Sequence, residues 1–270
     1  MPLPNNAAEI AVNTPETIPG GPGFYIDEEQ AGNIKENYTN VPRLRDIGRW
    51  YVTDFVRAVS ESLPSGSKIL DAGAGECAYK KYFSHCKYVS VDLAIGEENW
   101  NYHNLDCIAP LDNLPFDDAS FDAILCTQVL EHLEHPRAAV KELFRVLRSG
   151  GRLFSTVPMA HGEHQAPYDF FRYTSYGLQS ICENAGFREI GITPLGGMFS
   201  RWAYEFPGMI TLFPGAGIRS GRINIKGLLL LPVRLVCLLA IRITQMFFLG
   251  IDRLDKVKNF PLGWSLVAWK

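Results

Sequence analysis

The sequence predicts an α/β protein built on a doubly wound, mostly parallel sheet, and three observations predict it. Short apolar runs alternate with helical stretches between residues 67 and 195. A glycine-rich turn, Asp71-Ala-Gly-Ala-Gly75, follows the first run, and acids stand where runs end, at Asp71, Asp92 and near Asp106. Alternation of this kind implies crossovers that bring each strand back parallel to the last. Composition agrees: 270 residues at 47% hydrophobic and 20% charged are ordinary for a globular chain and exclude a collagenous, repeat-dominated or disordered one. A net charge of -3 supplies no basic field to hold phosphates, so nucleic acid is not expected as a partner.

Each element follows from its residues. Residues 1–23 are rich in proline and end in Ile18-Pro-Gly-Gly-Pro-Gly23, which predicts a flexible N-terminal arm. They hold no basic stretch followed by an apolar one, and the six cysteines form no C-x-x-C pair; a reduced, cytoplasmic chain without a zinc finger is expected. Residues 24–66 are read as a helical cap, because Leu44, Ile47, Tyr51, Phe55, Val59 and Leu63 recur at helical spacing until Pro64-Ser-Gly66. Residues 67–195 and 259–270 are assigned to the core. Its strands are expected at Lys68–Leu70, Tyr88–Val91, Phe121–Cys126, Arg152–Val157, Phe187–Thr193 and Trp264–Trp269. Helical stretches are expected at Cys77–Phe83, Pro136–Arg148 and Thr174–Ala185, with Pro136 opening the second and Gly186 closing the third. Residues 196–258 form an insertion before the last strand.

The chemistry begins at the glycine turn. Glycine lets backbone approach a ligand, and a helix start offers unpaired N–H groups. Gly73-x-Gly75-x-x-Ala78 even satisfies the dinucleotide fingerprint. Asp71, two residues before the first glycine, argues against that ligand, because its carboxylate repels a pyrophosphate and suits an amino group or a sulfonium. Asp92 stands where a ribose would be held by its two hydroxyls. Asp106 is placed to meet an adenine amino group. Three acids at strand ends point to one adenosine-like ligand with a cationic tail.

These motifs together resemble the class I S-adenosylmethionine-dependent methyltransferases, in particular the type 11 family. The resemblance runs from about Ser67 to Phe187, through ILDAGAGE, VSVDL, NLD, LPFDDASFDAILCTQVLEHL and PRAAVKELFRVLRSGGRLFSTVP, to the AGF at 185–187. It implies a Rossmann-like seven-stranded sheet and S-adenosylmethionine as cofactor. It also implies that Asp71, Gly73 and Gly75 surround the amino acid part, Asp92 with Leu93 takes the ribose, Asp106 with Cys107 flanks the adenine, and Thr127 with Gln128 lies beside the methionine part.

Methyl transfer is an in-line displacement at an already activated carbon, and orientation alone contributes on the order of 7–11 kcal/mol at best. A base is needed only for a protonated acceptor. His132, His161 and His164 are the candidates, since they follow the fourth and fifth expected strands at the cofactor edge of the sheet. Gln128-Val-Leu-Glu131-His132 is similar to the E-x-x-E-H run of metal-assisted methyltransferases, but Gln128 replaces the first acid, and no metal is expected. Chains similar across Pro167-Tyr-Asp-Phe-Phe-Arg-Tyr-Thr174 look like enzymes of cell-surface glycans or lipid-linked intermediates, which makes such an acceptor the first reading. A soluble small-molecule O- or N-methyltransferase is the second. An inactive cofactor-binding subunit that docks a partner through residues 196–258 is the third.

The insertion carries its own signal. Between Arg219 and Lys258, eight basic residues face only Asp252 and Asp255. Leu228–Leu249 is apolar enough to suggest a bilayer span, yet Arg234 and Arg242 sit inside it at about 2.5–3.5 kcal/mol each. Arg234, Ile241, Gln245, Asp252 and Lys256 share one line of a helix, so the pattern is amphipathic. A final strand at 264–269 also requires the chain to return to the side it left. Peripheral membrane contact through 219–258 is expected, with a protein-packed lid or homodimer helix as the rival.

Overall fold

The computed structural model describes residues 43–96, 100–212, 218–219, 222–223 and 229–270. The expected arm at 1–23, and residues 24–42 of the expected cap, lie outside the described residues, as does Lys226 of the basic segment.

Seven strands form one mixed sheet: β1 (Lys68–Ala72), β2 (Lys87–Asp92), β3 (Cys107–Ile108), β4 (Phe121–Thr127), β5 (Leu147–Pro158), β6 (Arg188–Leu195) and β7 (Gly263–Trp269). Their order is β3-β2-β1-β4-β5-β7-β6, and only β7 runs antiparallel, wedged between β5 and β6. The Rossmann-like α/β expectation is met. A two-stranded ribbon pairs Ile218–Arg219 with Arg222–Ile223.

Alternation along the strands feeds two cores. Ile69, Ala123, Leu125 and Phe154 face helix α1 (Ile47–Ser62), with Val52, Val56, Val59 and Phe83 packed over them. Leu70, Ile124, Cys126, Leu153 and Leu266 face the opposite way, onto α2 (Pro136–Val146) and α3 (Ser175–Ala185). Both faces of the central strands are therefore apolar, as a parallel sheet covered on two sides requires. Asp46 caps α1 through the Arg49 amide, Pro136 opens α2, and Thr174 and Gly186 close the two ends of α3.

Two local expectations are corrected. Cys77–Phe83 is not one helix: Cys77 has φ 56°, and only a 3₁₀ turn follows at Lys80–Phe83, because a left-handed residue cannot begin a right-handed helix. The strand expected from Arg152 begins at Leu147, directly after α2, where Leu147 pairs with Phe121.

Residues 198–212 and 229–254 build a third layer against α1. Helix α4 (Met198–Glu205) packs on helix α5 (Leu231–Ile251), and a small core of Ile47, Ala203 and Leu262 joins them to the body. Gly197 stands at the N-cap of α4 and has no side chain to cap with. Two carboxylates from beyond α5 do this instead: Asp252 accepts from Ser200 N at 2.7 Å and from Gly197 N at 3.1 Å, and Asp255 accepts from Met198 N at 2.8 Å. Asp252 is buried, so its loss would strand these N–H donors. Asp252→Ala is expected to lower unfolding stability by about 1–3 kcal/mol in urea titrations, whereas an exposed acid such as Asp117 should leave it unchanged.

Candidate cofactor and acceptor cavity

A cavity of about 660 Å³ opens at the carboxyl ends of β1, β2 and β4, the edge of an open α/β sheet where ligands bind. Asp71, Gly73, Gly75, Asp92, Leu93, Thr127 and Gln128 all line it. Gly73 (φ 81°) and Gly75 (φ 53°) hold the turn in the left-handed region. At Gly73 a Cβ would also lie 2.3 Å from the Val129 side chain, so the turn and the end of β4 close on each other only around a glycine.

The two strand-end carboxylates differ. Asp92 Oδ2 accepts from Gly75 N at 2.9 Å and Oδ1 from Ala94 N at 2.8 Å, which ties β2 to the glycine turn. Burial raises its carboxyl, and these backbone donors pull the other way. Asp71 is only 2% exposed and receives the Tyr88 hydroxyl. Burial pushes it up to about 7, against the Tyr88 hydrogen bond and with a smaller contribution from the charge of Asp92. Such a group is half-ionised near neutrality, and a cation placed beside it would restore the carboxylate.

Asp106 and Cys107 do not reach the cavity. Asp106 Oδ2 takes hydrogen bonds from the Ser90 amide and hydroxyl, both at 2.8 Å, so its carboxylate staples β3 to β2. Cys107 is buried in the sheet. In the next turn Leu111 and Asp112 line the wall instead. Trp100 and Tyr102 line it from the loop after β2, and a Cβ at Gly75 would stand 3.4 Å from the Trp100 ring. Sequence reasoning missed these four; the Leu111-Asp112 pair just ahead of Leu114-Pro-Phe116 was the available signal.

The far wall carries His132, His161 and His164, with Gln165, Tyr168, Phe170 and Tyr204. The rings of His132 and His164 lie 4.7 Å apart, and those of His161 and His164 4.5 Å. Arg172 holds this wall in place. It pairs with Asp169 through two parallel hydrogen bonds of 2.7 and 2.8 Å and also donates to the carbonyls of His161 and Gly162. The pairing holds the Asp169 carboxyl well below the usual carboxylate range. Tyr173 donates to Leu130 O, while Phe170 and Phe171 amides donate to Glu131 O, docking the loop on the turn after β4.

The histidines are not equivalent. His132 Nδ1 lies 2.6 Å from the Tyr168 carbonyl, which can only accept, so the proton sits on Nδ1. Its Nε2 is buried without a partner, 3.8 Å from Glu131 Oε1. His164 Nδ1 faces the Gly162 carbonyl at 3.1 Å, and Asp169 Oδ2 and Arg172 Nη2 at 3.4 Å each; the two accepting oxygens favour the proton on Nδ1 and the lone pair on Nε2. Burial lowers both histidines below the ordinary value, so both are neutral bases at pH 7. His161 Nδ1 meets Gly162 O at 2.9 Å, and its ring lies 5.8 Å from Tyr204.

Glu131 is fully buried with both carboxylate oxygens unpartnered, and burial pushes it up to about 8. Ligand atoms of Glu131, His132 and His164 lie within 4.8 Å of one another, a carboxylate and two nitrogens that could hold a divalent ion. Gln128 is not part of this set: its amide nitrogen donates to Thr156 Oγ1 at 3.1 Å.

Residues 70–155 of this fold, which carry the glycine turn and the strands around the cavity, match the family model described as a methyltransferase domain. Among characterised proteins, the chain is 34% identical over 117 residues to tRNA (carboxymethyluridine(34)-5-O)-methyltransferase of Arabidopsis thaliana, covering 40% of this chain and 28% of that protein. It is 35% identical over 161 residues to demethylmenaquinone methyltransferase of Clavibacter sepedonicus, covering 52% of this chain and 61% of that protein. The chain thus spans less than two thirds of either relative. Among solved structures, phosphoethanolamine N-methyltransferase 2 of Haemonchus contortus with bound S-adenosyl-L-methionine aligns at TM-score 0.50 and 15% identity, over 82% of this chain and 52% of that one. The [4+2]-cyclase SpnF aligns at TM-score 0.51 and 17% identity, over 94% and 88%. A cyclase among the neighbours makes plain that the fold does not set the reaction.

Proposed function

We propose that this protein moves a methyl group from S-adenosylmethionine to an oxygen or nitrogen of an acceptor seated against the histidine wall. The observation that carries this reading is one cavity with the buried Asp71 and half-buried Asp92 carboxylates at one end and three histidines at the other. Asp71 would face the cofactor's amino group and Asp92 its ribose; the cofactor supplies a methyl group already activated by its sulfonium. His164 Nε2 receives the acceptor's proton, and Asp169 beside Nδ1 stabilises the imidazolium that results. The first-choice acceptor is a cell-surface glycan or a lipid-linked intermediate met at the cytoplasmic face of a membrane; a soluble small molecule is the alternative. Incubating lysate with the protein and methyl-labelled cofactor should put label into the lipid fraction. Label confined to aqueous small molecules would favour the alternative, and no transfer at all would favour an inactive docking subunit.

A second reading is favoured by the unpartnered Glu131 oxygens and His132 Nε2: a divalent ion held by Glu131, His132 and His164 assists the transfer. A chelator separates the two. An unchanged rate supports His164 as a free base, and a loss restored by zinc or manganese supports the ion.

The state of Asp71 sets a pH dependence. A cationic amino group binds the carboxylate form, so cofactor affinity should rise with pH through about 7. Below that value it should fall by up to about tenfold per pH unit, the limit for one proton. Calorimetric titration across this range tests it, and Asp71→Asn should give a weak, flat profile.

A further inference from the structure

Helix α5 is inverted relative to a helix on the surface of a water-soluble protein. Of the residues that share its polar line, Gln245 and Asp252 face the protein, while Lys256, beyond the helix, is exposed. Gln245 is 2% exposed and donates to Ala203 O at 2.9 Å; Asp252, just past its end, caps α4; Phe248 of the same face stacks on Phe199 and Phe206. Arg242, at the edge, turns its guanidinium back to the Leu44 carbonyl and to Gln245 Oε1. The opposite face holds Leu235, Val236, Leu239, Ile243, Met246 and Phe247, each 56–68% exposed. The phase expected from the sequence holds, and the structure adds that its polar line meets α4.

We infer that the outward face of α5 is seated in the acyl-chain boundary of a phospholipid bilayer, with the helix lying along the membrane surface. Three features favour a bilayer. The face is apolar over a helix of about 30 Å and continues past its end through exposed Leu254, Val257 and Phe260. Exposed Arg253 and Lys256 alternate with these apolar residues, the arrangement of an interfacial segment over anionic headgroups. In a two-fold dimer the same patch would meet itself and bring these cations toward their copies, whereas anionic lipid neutralises them. A full span is excluded by the polar face, which is committed to α4 and α1. The seating also fits the acceptor reading without depending on it: Tyr204 of α4 lines the cavity, so α4 separates the acceptor wall from α5 and the bilayer.

Flotation of the full-length protein with phosphatidylcholine–phosphatidylglycerol vesicles tests this without any methyl acceptor. The protein should float and should remain largely bound in about 0.5 M salt, because screening removes only the electrostatic share. Leu239→Asp combined with Ile243→Asp should cut the bound fraction by about tenfold or more, while calorimetric binding of S-adenosylhomocysteine is unchanged and reports an intact core. The inference is overturned if the wild-type protein stays at the bottom of the gradient or is wholly released by salt. It is equally overturned if the double variant floats like wild type, or if the protein is a dimer in solution that the variant makes monomeric. A protein that floats but transfers no methyl group leaves the membrane seat standing and removes the proposed activity alone.

Discussion

Replacing His164 by alanine is expected to cut turnover on a hydroxyl acceptor by about 10²–10⁴-fold, the usual contribution of a positioned base, while leaving cofactor affinity unchanged. The imidazole is dispensable to the loop, because it is the backbone amide of His164 that donates to Asp169 Oδ2 and Arg172 that fastens the segment. In wild type, activity should be lost on acidification through a midpoint below the ordinary histidine value. Burial lowers the His164 pKa, so the neutral base persists further into acid. His161→Ala should have a smaller effect, since its ring is exposed at the rim. Single-turnover rates for both variants decide the matter: a His164→Ala enzyme at full speed removes it as the base.

Asp92→Ala is expected to weaken S-adenosylhomocysteine binding by about 10–150-fold. The variant loses charge-assisted hydrogen bonds of about 1.5–3 kcal/mol to the ribose. It also frees the Gly75 and Ala94 amides that Asp92 holds, so the glycine turn loses its anchor to β2. Calorimetry reads both effects as one change in affinity. An unchanged dissociation constant would remove Asp92 from the cofactor site, and heat of binding from NAD would return the glycine turn to the dinucleotide reading.

Much of the fold was legible because periodicity and turn chemistry agreed. Pro136, the apolar face of α2, Thr174 and Gly186 each mark a boundary by a local rule, and local rules survive folding. The carboxylate end of the cavity was legible for the same reason: acids at the ends of β1 and β2 emerge where the strands stop. Asp106 was misplaced because a side chain's direction beside a two-residue strand depends on its neighbour, here Ser90, and spacing does not reveal that partner. The segment from Pro167 to Thr174 reads from sequence as a mark of acceptor class. In the structure its Asp169–Arg172 clasp and Tyr173 hydroxyl hold the histidine wall, a role visible only once residue 130 and residue 173 are adjacent. Helix α5 shows a different limit. Amphipathic phase tells which residues share a face, and it does not tell what either face meets.

The position of β7 bears on the order in which the molecule forms. Leu266 and Ser265 pair on one side with β5 and on the other with β6, and Leu262 O receives both Met159 N and Ala160 N just before the histidine loop. Synthesis delivers β5, β6 and the whole of α5 before this strand exists. During that interval β5 and β6 lack the strand that lies between them and present open edges. Pairings so distant along the chain are slow to close, and unpaired edges beside apolar surface invite aggregation. Met159 and Ala160, which lead into the histidine loop, gain their partner at Leu262 only as this last strand closes.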